Sequence, residues 1–465
     1  MLHGRPGPKE WLQSTGTWKI DGVFSASGLV AVHAVKNFLF KAATSLTLVV
    51  IAALCARAGF AWDQERKIPR EALAIVPFQQ ETGNVAYSLA SGKGFADVFR
   101  TDTGPTAWLA PVYPLLLAGM FRGFGSFTVA AFFAAVFFNI LFSSAACIPI
   151  FYLTRRLSGL GAAALAAWVW ALFPAGVFFP FEWIWDTSLS ALLGALLLWA
   201  TAELADSTKL RDWCGYGILW GLTLLTNPAL GSVFPFLLGW AALRARKQNR
   251  LAWKFPVCAL LAAVTCCVPW TVRNFAAFRT FVPLRSNFAF ELWIGNNDIF
   301  DEHAQNGRTR ITRAEETRRY AQVGELQYML EKRAEAISFI ASHPGLEWQL
   351  TGRRIVAFWM GTETPLRDFL HTDSLLVRFV FAVNLLLTAG VFAGLFVLFR
   401  EKNPLAFPLA ATVTIFPCLY YVTHTLLRYR HAIDPAIVIL MALAARSFFA
   451  ARGGWGWARV AKRST

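Results

Sequence analysis

Apolar stretches of about 20 residues recur along this chain, the length a helix needs to cross the roughly 30 Å hydrocarbon core of a bilayer. Phe127–Leu153, Gly159–Phe179, Leu251–Trp270 and Ser374–Leu398 are examples. Lipid offers no partners to backbone N–H and C=O groups, so only helices and closed barrels span it, and continuous apolar runs specify helices. The chain is 56% apolar with 15% charged residues, outside the soluble norm. The expected fold class is an all-α polytopic membrane protein with about ten transmembrane helices.

The seven cysteines lie in or beside apolar spans, so neither a disulfide framework nor a CxxC metal site is expected. A formal net charge of +16 admits nucleic acid, anionic lipid or an anionic substrate. No nucleic-acid-binding motif accompanies it, and much of the excess sits in short loops, where Lys and Arg orient membrane proteins. Membrane lipid is therefore an expected partner and nucleic acid is not.

Those basic loops, Thr154–Ser158, Arg244–Arg250 and Arg400–Lys402, with the tail residues Arg452, Arg459, Lys462 and Arg463, all belong on the cytoplasmic side. They can share that side only if the run Trp108–Phe121, which holds Pro111 and Pro114, lies in the interface instead of crossing. Spans are then expected at 37–56, 127–153, 159–179, 187–203, 214–227, 229–243, 252–270, 374–399, 404–423 and 432–450. The pair around Asn227-Pro228 is short enough to be a re-entrant hairpin instead. The organisation that follows is a cytoplasmic segment 1–36, a transmembrane module 37–270 containing the outer loop 61–125, an extracytoplasmic segment 271–373, transmembrane helices over 374–450, and a basic cytoplasmic tail 451–465. The polar residues before the first span make it an uncleaved anchor. Within the extracytoplasmic segment, Leu326, Met329, Leu330, Ile337 and Ile340 recur at helical spacing and predict an amphipathic helix over Thr312–Ser342.

The outer loop carries the distinctive residues. Gln80 to Ala90 reads as a short helix opening with Glu81, followed by Gly92-Lys93-Gly94-Phe95, Gly104-Pro105-Thr106-Ala107-Trp108 and Pro111-Val112-Tyr113-Pro114. Further on stand Trp185-Asp186-Thr187-Ser188, Pro269-Trp270-Thr271-Val272-Arg273-Asn274 and Arg428-Tyr429-Arg430-His431-Ala432-Ile433-Asp434-Pro435. This pattern resembles the bacterial C-type membrane glycosyltransferases, the superfamily of protein O-mannosyltransferases and lipid A aminoarabinose transferases. The resemblance extends over nearly the whole chain. It implies an inverting transfer of a sugar from a polyprenyl-phosphate carrier to an acceptor on the outer face, with protein, lipid or glycan as acceptor, in a bacterial inner membrane. It implies Glu81 as the functional carboxylate of the first loop. Where such enzymes can carry an acidic pair, this chain has Gln80 before Glu81. No metal ligands are assigned, and a divalent cation is left open.

Chemistry sorts the remaining candidates. An acceptor hydroxyl needs a general base, for which Glu81 serves; read alone, the same residue suits a helix N-terminus. A departing polyprenyl phosphate needs cations, and Arg428, Arg430, His431, Lys93 and Arg100 are the candidates. Asp186 and Glu182 stand among interfacial aromatics, where carboxylates are often functional, although Asp186 also suits an N-cap. Arg273 and Asn274 could contact phosphate or acceptor, or hydrogen-bond at a helix end. Trp293 and Asn296 could contact sugar, or form an interfacial turn. No nucleotide-binding fingerprint is present. Two other classes share the lipid-linked substrate: a flippase or transporter of lipid-linked saccharides, and a polysaccharide ligase or polymerase. A transporter places its charges near the midplane, whereas here they crowd one face.

Overall fold

The computed structural model describes residues 41–99, 102–247, 253–297, 313–361 and 375–451. Segment 1–36, Arg100 and the tail beyond Ala451 lie outside the described residues. The chain divides into two units, Met1–Ser45 and Leu46–Thr465, and every element below belongs to the second. It is helical, with no strand among the described residues.

Among the described residues, seven helical stretches are long and apolar enough to cross a membrane. One, Val129–Glu182, is 54 residues long and reverses at Gly159, where φ is +80°. Trp170 Nε1 donates to Ser143 O at 2.8 Å and Ser143 Oγ to Gly176 O at 2.9 Å. The Cys147 thiol lies 3.9 Å from Ala167 O. These pairings make the two arms antiparallel, as expected from the basic turn Thr154–Ser158.

The first span differs from its expected place. Sequence reading ends it at Ala56 because a charge follows, but the helix runs Leu46–Glu65. Arg57 is swallowed instead of expelled, at 1% exposure. Its guanidinium donates to Ser143 Oγ at 2.8 Å and to the carbonyls of Ala53, Ala171 and Trp170 at 3.0, 2.9 and 3.2 Å. Backbone oxygens released at the end of the returning arm thus stand in for water, which is what keeps a buried charge tolerable. The expected amphipathic helix is also divided, into Arg313–Val323 and Glu325–Ser342 with Gly324 between. The run Trp108–Phe121 becomes the 13-residue helix Val112–Phe124, well short of a span.

Lipid gives helices little hydrophobic reason to associate, so close packing of small residues must do it. Ala162, Ala163, Ala166 and Ala167 of the returning arm, Ala191, Ala195 and Ala202 of helix Thr187–Leu204, and Ala436 and Ala442 of helix Asp434–Ala451 are all buried. The long loops meet at one end of this bundle. There Ser286 N donates to Ala107 O at 2.9 Å, Val112 N to Leu225 O at 3.1 Å, and Asn296 Nδ2 to Val422 O at 3.0 Å.

Candidate active site

The first loop is built as a tied hairpin. Asp97 N donates to Gly104 O at 3.0 Å and Thr106 N to Phe95 O at 3.1 Å, while the Asp97 carboxylate accepts from the backbone N–H groups of Thr103 and Gly104 at 3.0 and 3.1 Å. Lys93 closes the tip on Asp102 at 2.7 Å, with Asp97 at 3.9 Å. Its ammonium is held above its usual range, chiefly by the Asp102 hydrogen bond. The charge of Lys93 is thus engaged within its own loop.

Arg273 pins that hairpin to the membrane helix Lys254–Phe278. It donates to Thr106 O at 2.6 Å and to Phe95 O, and its guanidinium carbon lies 5.4 and 5.1 Å from the Phe95 and Trp270 ring centres. Asn274, fully buried, accepts from Arg273 and donates to Val282 O at 3.0 Å. A buried carboxylate that sequence reasoning missed completes the clasp. Glu325, 4% exposed, accepts from Thr106 Oγ1 at 2.5 Å, Ala107 N at 2.8 Å, Ser286 Oγ at 2.6 Å and the Tyr320 hydroxyl at 2.6 Å. Charge-assisted bonds of this kind are about twice as strong as neutral ones, so the helices Arg313–Val323 and Glu325–Ser342 and the first loop are locked together.

Arg428 stands on the short helix Leu427–Arg430. Its guanidinium carbon lies 4.7 Å from the Trp183 ring centre, 4.6 Å from Trp185 and 5.0 Å from Tyr429. Among the described residues it makes no hydrogen bond, and its Nε is buried without a partner. Burial alone would lower its pKa; the neighbouring Tyr429, Asp186, Glu81 and Glu291 more than offset this, leaving it raised. The cation is therefore kept charged by long-range attraction, with its donors unspent.

Of the three carboxylates expected at the site, Glu81 and Asp186 act on the Arg428 charge. Glu81, half-buried, is the first residue of helix Glu81–Ala90 and has no hydrogen-bond or ion-pair partner among the described residues. Asp186 precedes helix Thr187–Leu204 and accepts from Ser190 Oγ at 2.8 Å. Burial pushes the Asp186 carboxyl above the usual carboxylate range, against the opposing pull of Ser190, Arg285 and Arg428. The turn bearing Trp183 and Trp185 is held from beneath: Tyr113 donates to Asn139 Oδ1 at 3.0 Å, and Asn139 Nδ2 donates to Pro180 O and Trp183 O at 3.3 and 3.2 Å. Glu182, at the end of helix Pro174–Glu182, is exposed.

The other candidates are engaged elsewhere. Arg430 turns inward at 1% exposure. It donates to Asp434 Oδ1 at 2.9 Å, Asn384 Oδ1 at 2.7 Å and Trp359 O at 2.9 Å. His431, fully buried, bonds Asp434 Oδ2 through Nδ1 at 2.9 Å and stacks on Trp170 at 5.4 Å. These two residues anchor the short helix to the bundle. The Trp293 ring is covered by Lys332 Nζ at 3.9 Å. Asn296 is spent on Leu292 O, Val422 O and Arg354 at 2.9, 3.0 and 2.9 Å.

The second cation near Asp186 is Arg285, which sequence reasoning passed over within an aromatic and basic stretch. It donates to Trp108 O at 3.0 Å and lies 3.9 Å from Glu291. Among the described residues no three His, Cys, Asp or Glu side chains are placed to hold a metal ion. Glu81 and Asp186 both act on the Arg428 guanidinium through their charge. The arrangement offers a polarised anion site beside two carboxylates, which suits a group leaving as an anion while a hydroxyl is deprotonated.

No curated protein matches the sequence. Two structures of the Archaeoglobus fulgidus oligosaccharyltransferase are similar in part. The apo form has a TM-score of 0.49 at 13% identity, and the AglB complex with an inhibitory peptide and a dolichol-phosphate has 0.48 at 14%. In both, 87% of this chain is covered but only 50% of the other, so the chain spans about half the length of the structures it matches. Residues 109–272 match the family model for dolichyl-phosphate-mannose-protein mannosyltransferase. Over that stretch, the chain resembles this family of C-type membrane glycosyltransferases.

Proposed function

We propose that this protein is an inverting glycosyltransferase that moves a sugar from a polyprenyl-phosphate carrier to an acceptor hydroxyl at the outer face of the membrane. The observation that carries the reading is Arg428, a charged guanidinium in an aromatic cage with its N–H donors unspent and Glu81 and Asp186 within electrostatic reach. The family description, which names a dolichyl-phosphate sugar as donor and protein as acceptor, supports the same substrate class.

In this mechanism the donor phosphate docks on Arg428, with Arg285 adding to the positive potential. Glu81 takes the proton of the acceptor hydroxyl as its oxygen attacks the anomeric carbon from the face opposite the phosphate. The bond from that carbon to the phosphate oxygen breaks, and its electrons leave with the phosphate. One displacement inverts the anomeric centre. Asp186 orients the acceptor hydroxyl. The prenyl tail lies along lipid-exposed helices, and the acceptor is a protein, lipid or glycan.

Membranes containing Glu81→Gln, supplied with labelled polyprenyl-phosphate sugars, test the reading. General-base catalysis contributes on the order of 10² to 10⁴ in rate, so transfer should fall by about that factor. Transfer at the wild-type rate would overturn the base assignment. An inactive wild type with every phosphate-linked donor would overturn the function itself.

A further inference from the structure

Behind the cage lies a hydrogen-bonded chain that the proposed mechanism does not use. The Tyr429 hydroxyl is 3.2 Å from His424 Nε2, and His424 Nδ1 is 3.4 Å from both the Glu291 carboxylate and its backbone carbonyl. Glu291 is fixed in turn by Asn287 Nδ2 at 2.8 Å and by Arg285 at 3.9 Å. His424 and Glu291 come from different elements, the turn after helix Ala406–Val422 and the helix Phe288–Gly295. Close backbone packing sets their separation: a Cβ on Gly295 would stand 1.8 Å from Thr423 O.

Two acceptors at Nδ1 place the ring proton there, because only a donor satisfies both. In the neutral ring Nε2 is then an acceptor for the Tyr429 hydroxyl. When His424 is protonated beside the Glu291 carboxylate, Nε2 becomes a donor and the tyrosine proton is freed to point elsewhere. Tyr429 is also the aromatic floor of the Arg428 cage, 5.0 Å from the guanidinium carbon. Its hydroxyl is therefore carried by the same residue that braces the phosphate-seeking cation.

We propose that Glu291, His424 and Tyr429 form a proton relay that supplies a proton to the departing phosphate. The inference rests on the lipid-phosphate reading of Arg428. As the bond from sugar to phosphate breaks, the phosphate gains one negative charge. The Tyr429 O–H gives its proton to a phosphate oxygen, His424 Nε2–H replaces it on Tyr429, and His424 is left neutral until solvent recharges it. No proton is created or lost: the acceptor proton leaves on Glu81, and the relay proton leaves with the phosphate. Among the described residues, the charged and titratable groups around His424 and Tyr429 include Glu291, Arg285, Tyr420, Arg428, Asp186 and, beyond Arg428, Glu81. The relay works only from the protonated ring, so turnover through it falls as pH rises.

The test uses the full chain in lipid nanodiscs with a polyprenyl-phosphate sugar, comparing wild type with Tyr429→Phe and His424→Gln across pH. Tyr429→Phe keeps the ring over Arg428, so donor KM should stay within about twofold while kcat falls by about 10². In both variants the alkaline decline of kcat should disappear. Unchanged kcat and pH profile, or a change confined to donor KM, would overturn the relay. Nitrogen-15 NMR of labelled histidine reads the chain independently of turnover. Wild-type His424 should carry its proton on Nδ1 and lose that preference in Glu291→Gln; protonation at Nε2 alone in the neutral wild-type ring would also overturn it. Failure of the wild type to use any phosphate-linked donor would sink the functional reading, while the NMR result would still decide whether the chain exists.

Discussion

Arg428 and Arg430, two residues apart on one short helix, face opposite surroundings. The first lies in a cage of Trp183, Trp185 and Tyr429 with its N–H donors unspent, and the second is saturated by Asp434, Asn384 and two backbone carbonyls inside the bundle. The sequence presents them as a pair, but the helix turn sends one to the site and the other into the protein.

Their substitution should therefore separate cleanly. Arg428→Ala should lower kcat/KM for the lipid-linked donor by about 10² to 10³, as expected for losing an electrostatic anchor, with the melting temperature nearly unchanged. Arg430→Ala removes the buried guanidinium partner of Asp434, leaving it only His431, and breaking a buried ion pair costs about 3–5 kcal/mol. It should show as a large drop in thermal midpoint in detergent, measured by intrinsic tryptophan fluorescence.

Asp186 should set an acid limb. Burial raises its pKa against the opposing effects of Ser190, Arg285 and Arg428, so it takes up a proton at a higher pH than an ordinary carboxylate. If its ionised form orients the acceptor, kcat/KM for acceptor should fall as pH drops through that raised value. Asp186→Asn should abolish the limb. The sign for stability is opposite: the folded state holds the proton more tightly than the unfolded chain, so this residue makes folding less favourable as pH rises through its folded pKa.

Glu325 should behave as a clasp. Glu325→Ala takes the shared acceptor from the hydroxyls of Thr106, Ser286 and Tyr320 and the Ala107 N–H, and each buried group left unsatisfied costs about 1–3 kcal/mol. Hydrogen exchange should rise selectively over the Phe95–Trp108 loop and the helix Glu325–Ser342, with the membrane helices still protected.

Gly295→Ala should be poorly tolerated. The added Cβ would stand 1.8 Å from Thr423 O, forcing apart the elements that carry Glu291 and His424. Overpacking of this kind costs about 1–3 kcal/mol. A lower thermal midpoint and an altered His424 resonance should accompany it.

Much of the fold was legible because bilayer physics is written in runs of apolar residues. Helices Thr187–Leu204, Lys254–Phe278 and Asp434–Ala451 lie close to their expected spans, and the reversal at Gly159 follows the basic turn before it. The first span was misplaced because Arg57 stays inside the protein, where Ser143 Oγ and the carbonyls of Ala53, Trp170 and Ala171 satisfy it. Of the residues proposed for the site, Glu81 was singled out from the family resemblance and the need for a base, Arg428 from the need for a cation at phosphate, and Asp186 as a carboxylate among interfacial aromatics. Glu325, Arg285 and the Glu291–His424–Tyr429 chain were not, because each is defined by partners far along the chain: Glu325 lies 219 residues from Thr106, and His424 lies 133 from Glu291.

By itself the sequence determined that this chain is a helical membrane protein with its polar chemistry gathered at loops, because hydropathy is a property of short contiguous segments. Tertiary structure alone decided which charges remain available. A guanidinium becomes a structural tie or a ligand-seeking cation according to whether neighbouring carbonyls and carboxylates satisfy its donors. Those neighbours are brought together only when the helices pack.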